Sequence, residues 1–209
     1  MENFRDPILF CFIGPGASGK STICTALSER ELPVTLSVSS TTRTPRVYEK
    51  EGREYYFITR EEFLRREEER SFLEHAQFAG NFYGTEKRNI ERAGQLKKHL
   101  LLDIEIQGVR QLKTLFPAQV VVIFVCPPSL QDLKDRFILR GADTEERMQE
   151  RLLIAKEEIS IAMEGTFSDY VIINSSLDKS IKAAEAIVVA ESVRRRRVDE
   201  QLLTTFGIP

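Results

Sequence analysis

Ile8-Leu9-Phe10-Cys11-Phe12-Ile13 runs directly into Gly14-Pro15-Gly16-Ala17-Ser18-Gly19-Lys20-Ser21, and a helical pattern follows at 20–29. The first six residues are apolar, aromatic or β-branched, the composition of a strand buried on both faces. The next eight are a complete G-x-x-x-x-G-K-S loop in the strand–loop–helix context that such a loop requires. Its glycines let backbone N–H groups converge on phosphate oxygens, and the helix N-terminus adds partial positive charge. Lys20 reaches the outer phosphates, and the Ser21 hydroxyl can complete a Mg²⁺ shell. The loop calls for a nucleoside triphosphate with Mg²⁺, and by itself does not name the acceptor.

Working outward, five more short apolar runs read as strands, at 34–38, 55–59, 100–106, 120–126 and 170–173. Helical patterns at 61–70, 108–115, 130–140, 145–164 and 180–193 separate most of them. Alternating strand and helix implies an α/β fold, a parallel sheet covered on both faces. Asp103 stands within the run 100–106, after three leucines, where an acid could hold a metal-bound water. The stretch 37–89 breaks the rhythm with two aromatic clusters, several glycines and many charges. It reads as an insert over the C-terminal edge of the sheet, where ligands bind in such folds.

Composition bounds what remains. The 209 residues suit one large domain or a core with inserts, and 42% hydrophobic residues can fill a core. Thirty Lys and Arg against 32 Asp and Glu leave a net charge of −2, with no global field for nucleic acid or an anionic membrane. Any polyanionic partner must therefore meet a local cluster. Three cysteines without metal-type spacing and only two histidines argue for reduced thiols and against a histidine-rich metal site. The N-terminus lacks the pattern of a secretory signal, and the apolar runs are too short to span a membrane. A cytoplasmic protein is expected, as a monomer or weak homo-oligomer. Four arginines at 194–197 read as a solvated terminal helix.

Arg43 and Arg46 lie three apart among the hydroxyl side chains of 39–46, and arginine is the side chain best shaped to grip a phosphate. With this segment in view, the chain resembles the guanylate kinases. The matching pieces are 39–46, then Gly52 with Tyr55-Tyr56-Phe57, Phe72-Leu73-Glu74-His75-Ala76 and Gly80-Asn81-Phe82-Tyr83-Gly84-Thr85. Asp103-Ile104-Glu105-Ile106-Gln107-Gly108 and Pro127-Pro128-Ser129 follow in the same order. The resemblance implies ATP and GMP as substrates, with dGMP tolerated, and no nucleic-acid or membrane partner. It implies that Arg43, Arg46, Tyr55 and Tyr83 hold the GMP phosphate. Ser39, Glu74, Thr85 and Glu105 would read the guanine, and Asn174 would lie near the adenine. The chemistry agrees, because a carboxylate can accept both N1–H and N2–H of guanine, whereas adenine offers no donor at N1.

Two departures from the family pattern stand out. Glu105 occupies the second acid of an Asp-Ile-Asp motif, which pushes its carboxylate outward by about 1.3–1.5 Å. Asn174-Ser175-Ser176 lacks the acid that usually follows the asparagine. On the segment 130–151, Arg136 and Arg140 are spaced i, i+4, and Arg147 and Arg151 repeat the spacing. The resemblance makes Arg136, Arg140 and Arg151 lid residues closing over both nucleotides and leaves Arg147 as surface. The expected division is a core of 1–36 and 90–209, a GMP-binding insert of 37–89, and a lid of 136–151. A purely protein-binding use of the same fold is the rival reading, and the intact loop with Lys20 argues against it. A different acceptor monophosphate is the other rival.

Overall fold

The computed structural model describes residues 7–47, 49–139 and 145–197, without the side chain of Arg196. In chain order the elements begin with β1 (Leu9–Ile13), α1 (Lys20–Ser28), β2 (Val34–Leu36), β3 (Ser39–Thr41) and β4 (Tyr55–Phe57). Next come α2 (Arg60–Glu68), β5 (Phe72–Phe78), β6 (Asn81–Glu86), α3 (Arg88–Gln95), β7 (His99–Asp103) and α4 (Ile106–Leu115). Then follow β8 (Val120–Cys126), α5 (Leu130–Leu139), α6 (Glu145–Met163), β9 (Tyr170–Ile173) and α7 (Leu177–Ser192), and a 3₁₀ turn at Arg195–Arg197.

Five strands form an all-parallel sheet in the order β2-β7-β1-β8-β9. Side chains alternate between its faces with period two, which sorts β1 cleanly. Leu9, Cys11 and Ile13 point into one layer with Val109 and Leu112 of α4 and Ala162 of α6. Ile8, Phe10 and Phe12 point into the other with Ile23 and Leu27 of α1 and Ala184 and Val188 of α7. Every residue of β1 is fully buried, so its sequence shows no polar alternation. Among the described residues, no helix is long and apolar enough to cross a membrane.

The remaining strands form a second, mixed sheet in the order β4-β3-β6-β5. The run read as a strand at 55–59 lies in the insert as expected and is shorter: β4 ends at Phe57 and pairs parallel with β3. Three strands here, β3, β5 and β6, carry no clear apolar pattern, because many of their side chains are polar. The second sheet has its own small core, in which Phe63 of α2 stacks between Phe72 at 4.5 Å and Phe82 at 5.2 Å. Thr59 caps α2 by accepting from the Glu62 N–H.

The two sheets meet at a seam. β5 is an edge strand, and its exposed backbone is taken by α4: Gln111 Nε2 donates to the His75 carbonyl at 2.6 Å, and its Oε1 accepts from the His75 N–H at 3.2 Å. The run read as 100–106 divides there, β7 ending at Asp103 and α4 beginning at Ile106. At the far end the arginine tail finishes in the 3₁₀ turn; Arg194 and Arg195 are exposed, as expected, and Arg197 is not. Arg194 and Arg197 donate to Glu191, which is 1% exposed and also accepts from the Tyr170 hydroxyl. Arg197 further donates to the Ala118 carbonyl at 2.9 Å. A buried carboxylate must be paired, and this one recruits the tail to do it.

Candidate active site

The loop 14–19 leaves the C-terminal end of β1 and delivers Lys20 as the first residue of α1. Gly19 caps that helix at φ 104° and makes no side-chain hydrogen bond to the first N–H groups of α1. A Cβ on Gly19 would stand 2.2 Å from Asn174 Nδ2, which only glycine avoids. Lys20 Nζ bends back over the loop, donating to the carbonyls of Gly14 at 2.5 Å and Pro15 at 3.3 Å. The Ser21 hydroxyl donates to Asp103 Oδ2 at the end of β7, so the two oxygen donors expected at a metal are in contact.

The loop is braced from behind. Asn174, 5% exposed, donates from Nδ2 to the Ser18 carbonyl at 2.8 Å and accepts from Ser180 Oγ at 2.9 Å. Both ends of its amide are thereby used on protein, where the family resemblance suggested the adenine. Arg136 of α5 donates to the carbonyls of Ser18 at 3.2 Å and Asn174 at 2.5 Å. Ala17 packs with Leu133, Phe137 and Ala155, which ties the loop to α5 and α6. Arg151 is exposed and stacks its guanidinium over the Phe137 ring at 5.4 Å; Arg147 is exposed as well. Arg140 lies outside the described residues.

Across the seam, three of the predicted base readers form one hydrogen-bonded chain. Ser39 Oγ lies 3.2 Å from Thr85 Oγ1, and Glu74 Oε1 accepts from the Thr85 N–H at 3.0 Å. Glu74 is 3% exposed, and burial pushes its carboxyl up to about 7, against the Thr85 hydrogen bonds and helped by Glu105. Its other oxygen lies against α4 where Gly108 has no side chain; a Cβ there would sit 2.1 Å from Oε2. Glu105 is half-buried at the N-cap of α4, raised above the ordinary carboxylate range by burial, with Lys20 opposing and Asp103 adding.

Arg43 and Arg46 lie on the loop between β3 and β4. Arg43 is 5.5 Å over the Tyr55 ring, and Tyr55 stands edge-on to Tyr83 at 6.0 Å. Burial first, and then Asp103, pushes the Tyr55 phenol far up, so it stays a hydrogen-bond donor. The same carboxylates thus reach both halves. Asp103 touches Ser21 and acts on Tyr55 and Glu105, while Glu105 acts on Glu74 and is acted on by Lys20. Glu158 of α6 joins this field unannounced by any motif. It is half-buried and raised to about 7 by burial, then by Glu105, with Lys20 opposing. Its only sequence signal is a polar residue on the inner side of a long helix. Among the described residues, no group of three or more His, Cys, Asp and Glu could hold a metal.

Comparison with known proteins bears on this geometry. A family model described as guanylate kinase matches residues 7–191. The guanylate kinase of Shouchella clausii is 40% identical over 191 residues, covering 91% of each chain. That of Desulfitobacterium hafniense is 42% identical over 191 residues, covering 91% of this chain and 93% of the other. The crystal structure of guanylate kinase from Anaplasma phagocytophilum superposes with a TM-score of 0.77 at 33% identity, covering 97% of this chain and 96% of that one.

Proposed function

This chain belongs to the guanylate kinase family, with ATP and GMP as the substrates the family implies, and it phosphorylates GMP; from there we propose how its residues divide the work. ATP binds at 14–21, with its phosphates against the loop N–H groups and Lys20. The insert 37–89 takes GMP, and 136–151 acts as the lid. The phosphate of GMP is held by Arg43, Arg46, Tyr55 and Tyr83, and its base by Ser39, Glu74, Thr85 and Glu105. dGMP is accepted as a slower alternative.

The observation that carries this reading is the Ser39–Thr85–Glu74 chain, a buried carboxylate with one oxygen uncommitted to the strand that holds it. A buried acceptor of this kind discriminates strongly, since a base lacking the matching donors leaves it unpaired.

Ser21 and Asp103 suit Mg²⁺, a hard cation that takes one or two protein oxygens and completes its shell with water and phosphate. When bound, the ion neutralises charge on the transferred phosphoryl group. The chain's own residues do the rest. The insert presents a phosphate oxygen of GMP in line with the γ-phosphorus of ATP, and no protein nucleophile is needed. Lys20 and the lid arginines Arg136, Arg140 and Arg151 stabilise charge spread over the group in flight. Arg136 already rests on the loop carbonyls, so its position and that of the loop are set together. Closure excludes water, which would otherwise accept the phosphoryl group. Asn174 contributes by bracing the loop from below, beside the adenine end of the ATP site.

The test is a coupled ADP-release assay over GMP, dGMP, IMP, AMP and UMP, with wild type and Glu74→Gln. GMP should lead for the wild type, with IMP weak for want of the N2 donors. Glu74→Gln should lower kcat/KM for GMP by about 10²-fold or more while changing that for IMP less. AMP or UMP outpacing GMP in the wild type, or a Glu74→Gln efficiency within about threefold of wild type, removes the assignment.

A further inference from the structure

The loop between β3 and β4 carries a carboxylate that the assignments above leave without a role. The Glu49 side chain is 4% exposed and lies between the two arginines of the phosphate grip. Arg43 Nη2 donates to both of its oxygens, at 2.8 and 2.9 Å. Its Oε2 also accepts from the Arg46 N–H at 2.8 Å, and Arg46 Nη1 lies 3.8 Å from Oε1. The Glu49 N–H returns a bond to the Arg46 carbonyl at 3.0 Å, which ties the two residues together through their backbones as well. Burial would raise this carboxyl, but the bonds from Arg43 and Arg46 outweigh it and hold it below the ordinary range.

An anion is an unexpected component of a site for a dianion. Two neighbouring guanidiniums repel, however, and each long side chain loses rotamer entropy when it is fixed. A buried carboxylate between them removes the repulsion and prepays the ordering. It does so without saturating Arg43. A guanidinium has five donors; the contacts of Arg43 among the described residues are one to the Thr44 carbonyl and two to Glu49. Nε–H and one Nη1 hydrogen remain for another anion, beside the Tyr55 ring.

We propose that Glu49 is the positioning residue of the monophosphate grip. It fixes the Arg43 guanidinium and the Arg46 backbone in the geometry that receives the GMP phosphate, and it touches neither nucleotide. This rests on the assignment of Arg43 and Arg46 to that phosphate, and the experiment separates the two claims.

Steady-state kinetics are measured with GMP varied at saturating ATP, and ATP varied at saturating GMP, for wild type, Glu49→Gln and Arg43→Ala. Thermal unfolding is followed in parallel. Glu49→Gln keeps the shape but loses one acceptor and the charge. It should raise KM for GMP about tenfold or more, the cost of about one charged hydrogen bond. KM for ATP and Tm should stay near wild type. Should Glu49→Gln fail to fold, Glu49→Asp reads the same split with the charge kept. An unchanged KM for GMP in Glu49→Gln, with a large rise in Arg43→Ala, overturns the positioning role and leaves the grip standing. An unchanged KM in both variants overturns the grip itself. A drop in Tm with both KM values rising together assigns Glu49 to the fold alone and overturns the proposal.

Discussion

On the assignment proposed above, the two halves of the site are built on opposite plans. The triphosphate half is one continuous stretch, 14–21, whose working groups are largely backbone N–H donors and one lysine. Its side-chain neighbours, Asn174 and Arg136, both donate to the Ser18 carbonyl of the loop, and Arg136 also to the Asn174 carbonyl, and so serve its shape. The monophosphate half gathers side chains from β3, the β3–β4 loop, β4, β5 and β6, and closes them against α4 of the other sheet. A backbone cradle binds what every nucleoside triphosphate shares. A ring of side chains binds what only one base and one phosphate present. Recognition of the common part can be local, and recognition of the particular part has to be assembled.

Substitutions should therefore separate the halves. The largest effect is expected from Lys20→Ala, which removes the cation over the loop: kcat should fall about 10³-fold or more with CD and Tm retained. A variant keeping most of its turnover would take Lys20 out of the mechanism.

Gly108→Ala probes the other half from a helix that belongs to the first. The added Cβ would meet Glu74 Oε2 at 2.1 Å, so Glu74 must shift. Misplacing a recognition group by about 1 Å costs on the order of 10²-fold, and kcat/KM for GMP should fall on that scale. KM for ATP should remain near wild type. A parallel rise in both KM values would show the two halves to be one mechanical unit.

A smaller effect comes from pH. Glu74 is held near 7 by burial, above the ordinary value of a glutamate, so its proton is present below that pH and lost above it. The ionised form accepts the guanine donors, so KM for GMP should fall several-fold as pH rises from about 6 to 8. Glu74→Gln retains the titration of the GMP phosphate itself, and the difference between the two profiles isolates the carboxyl. Coincident profiles would exclude Glu74 as the titrating group.

The smallest effect lies in the core, away from both nucleotides. His99 Nδ1 accepts from the Ile8 N–H at 3.2 Å, and burial, then Arg197, lowers its pKa to about 4. A base depressed in the folded state binds more protons when unfolded, so this contribution to stability is lost as pH falls from about 6.5 towards 4. Tm should drop over that window in wild type, and less steeply in His99→Asn. Equal slopes would assign the loss to the carboxylates.

Much of the core was legible in sequence for a plain reason. Strands buried on both faces are continuous apolar runs, and β1, β8 and the apolar part of β7 are of that kind. The strands that bear the monophosphate site hid themselves by the same logic. β5 contains Glu74, His75 and Gln77, and β3 is Ser-Ser-Thr, polar residues that the proposed assignment uses for the ligand. Polar residues required for binding erase the period-two pattern by which a strand is found. Only the resemblance to a family pointed to Ser39, Glu74 and Thr85, and it could not reveal the hydrogen bonds that join them.

The sequence alone determined the phosphate loop, since three glycines with Lys20 and Ser21 between a strand and a helix form one contiguous motif. It also determined that this shape sits in an α/β layer, through apolar runs that alternate with helical ones. Tertiary structure alone decided the rest. It set Gly108 against Glu74, Asn174 beneath Gly19, Glu49 between Arg43 and Arg46, and Glu158 within the field of Lys20 and Glu105. The reason is range. Backbone conformation responds to immediate neighbours, whereas a buried charge acquires its ionisation and partner only from whatever the fold packs around it.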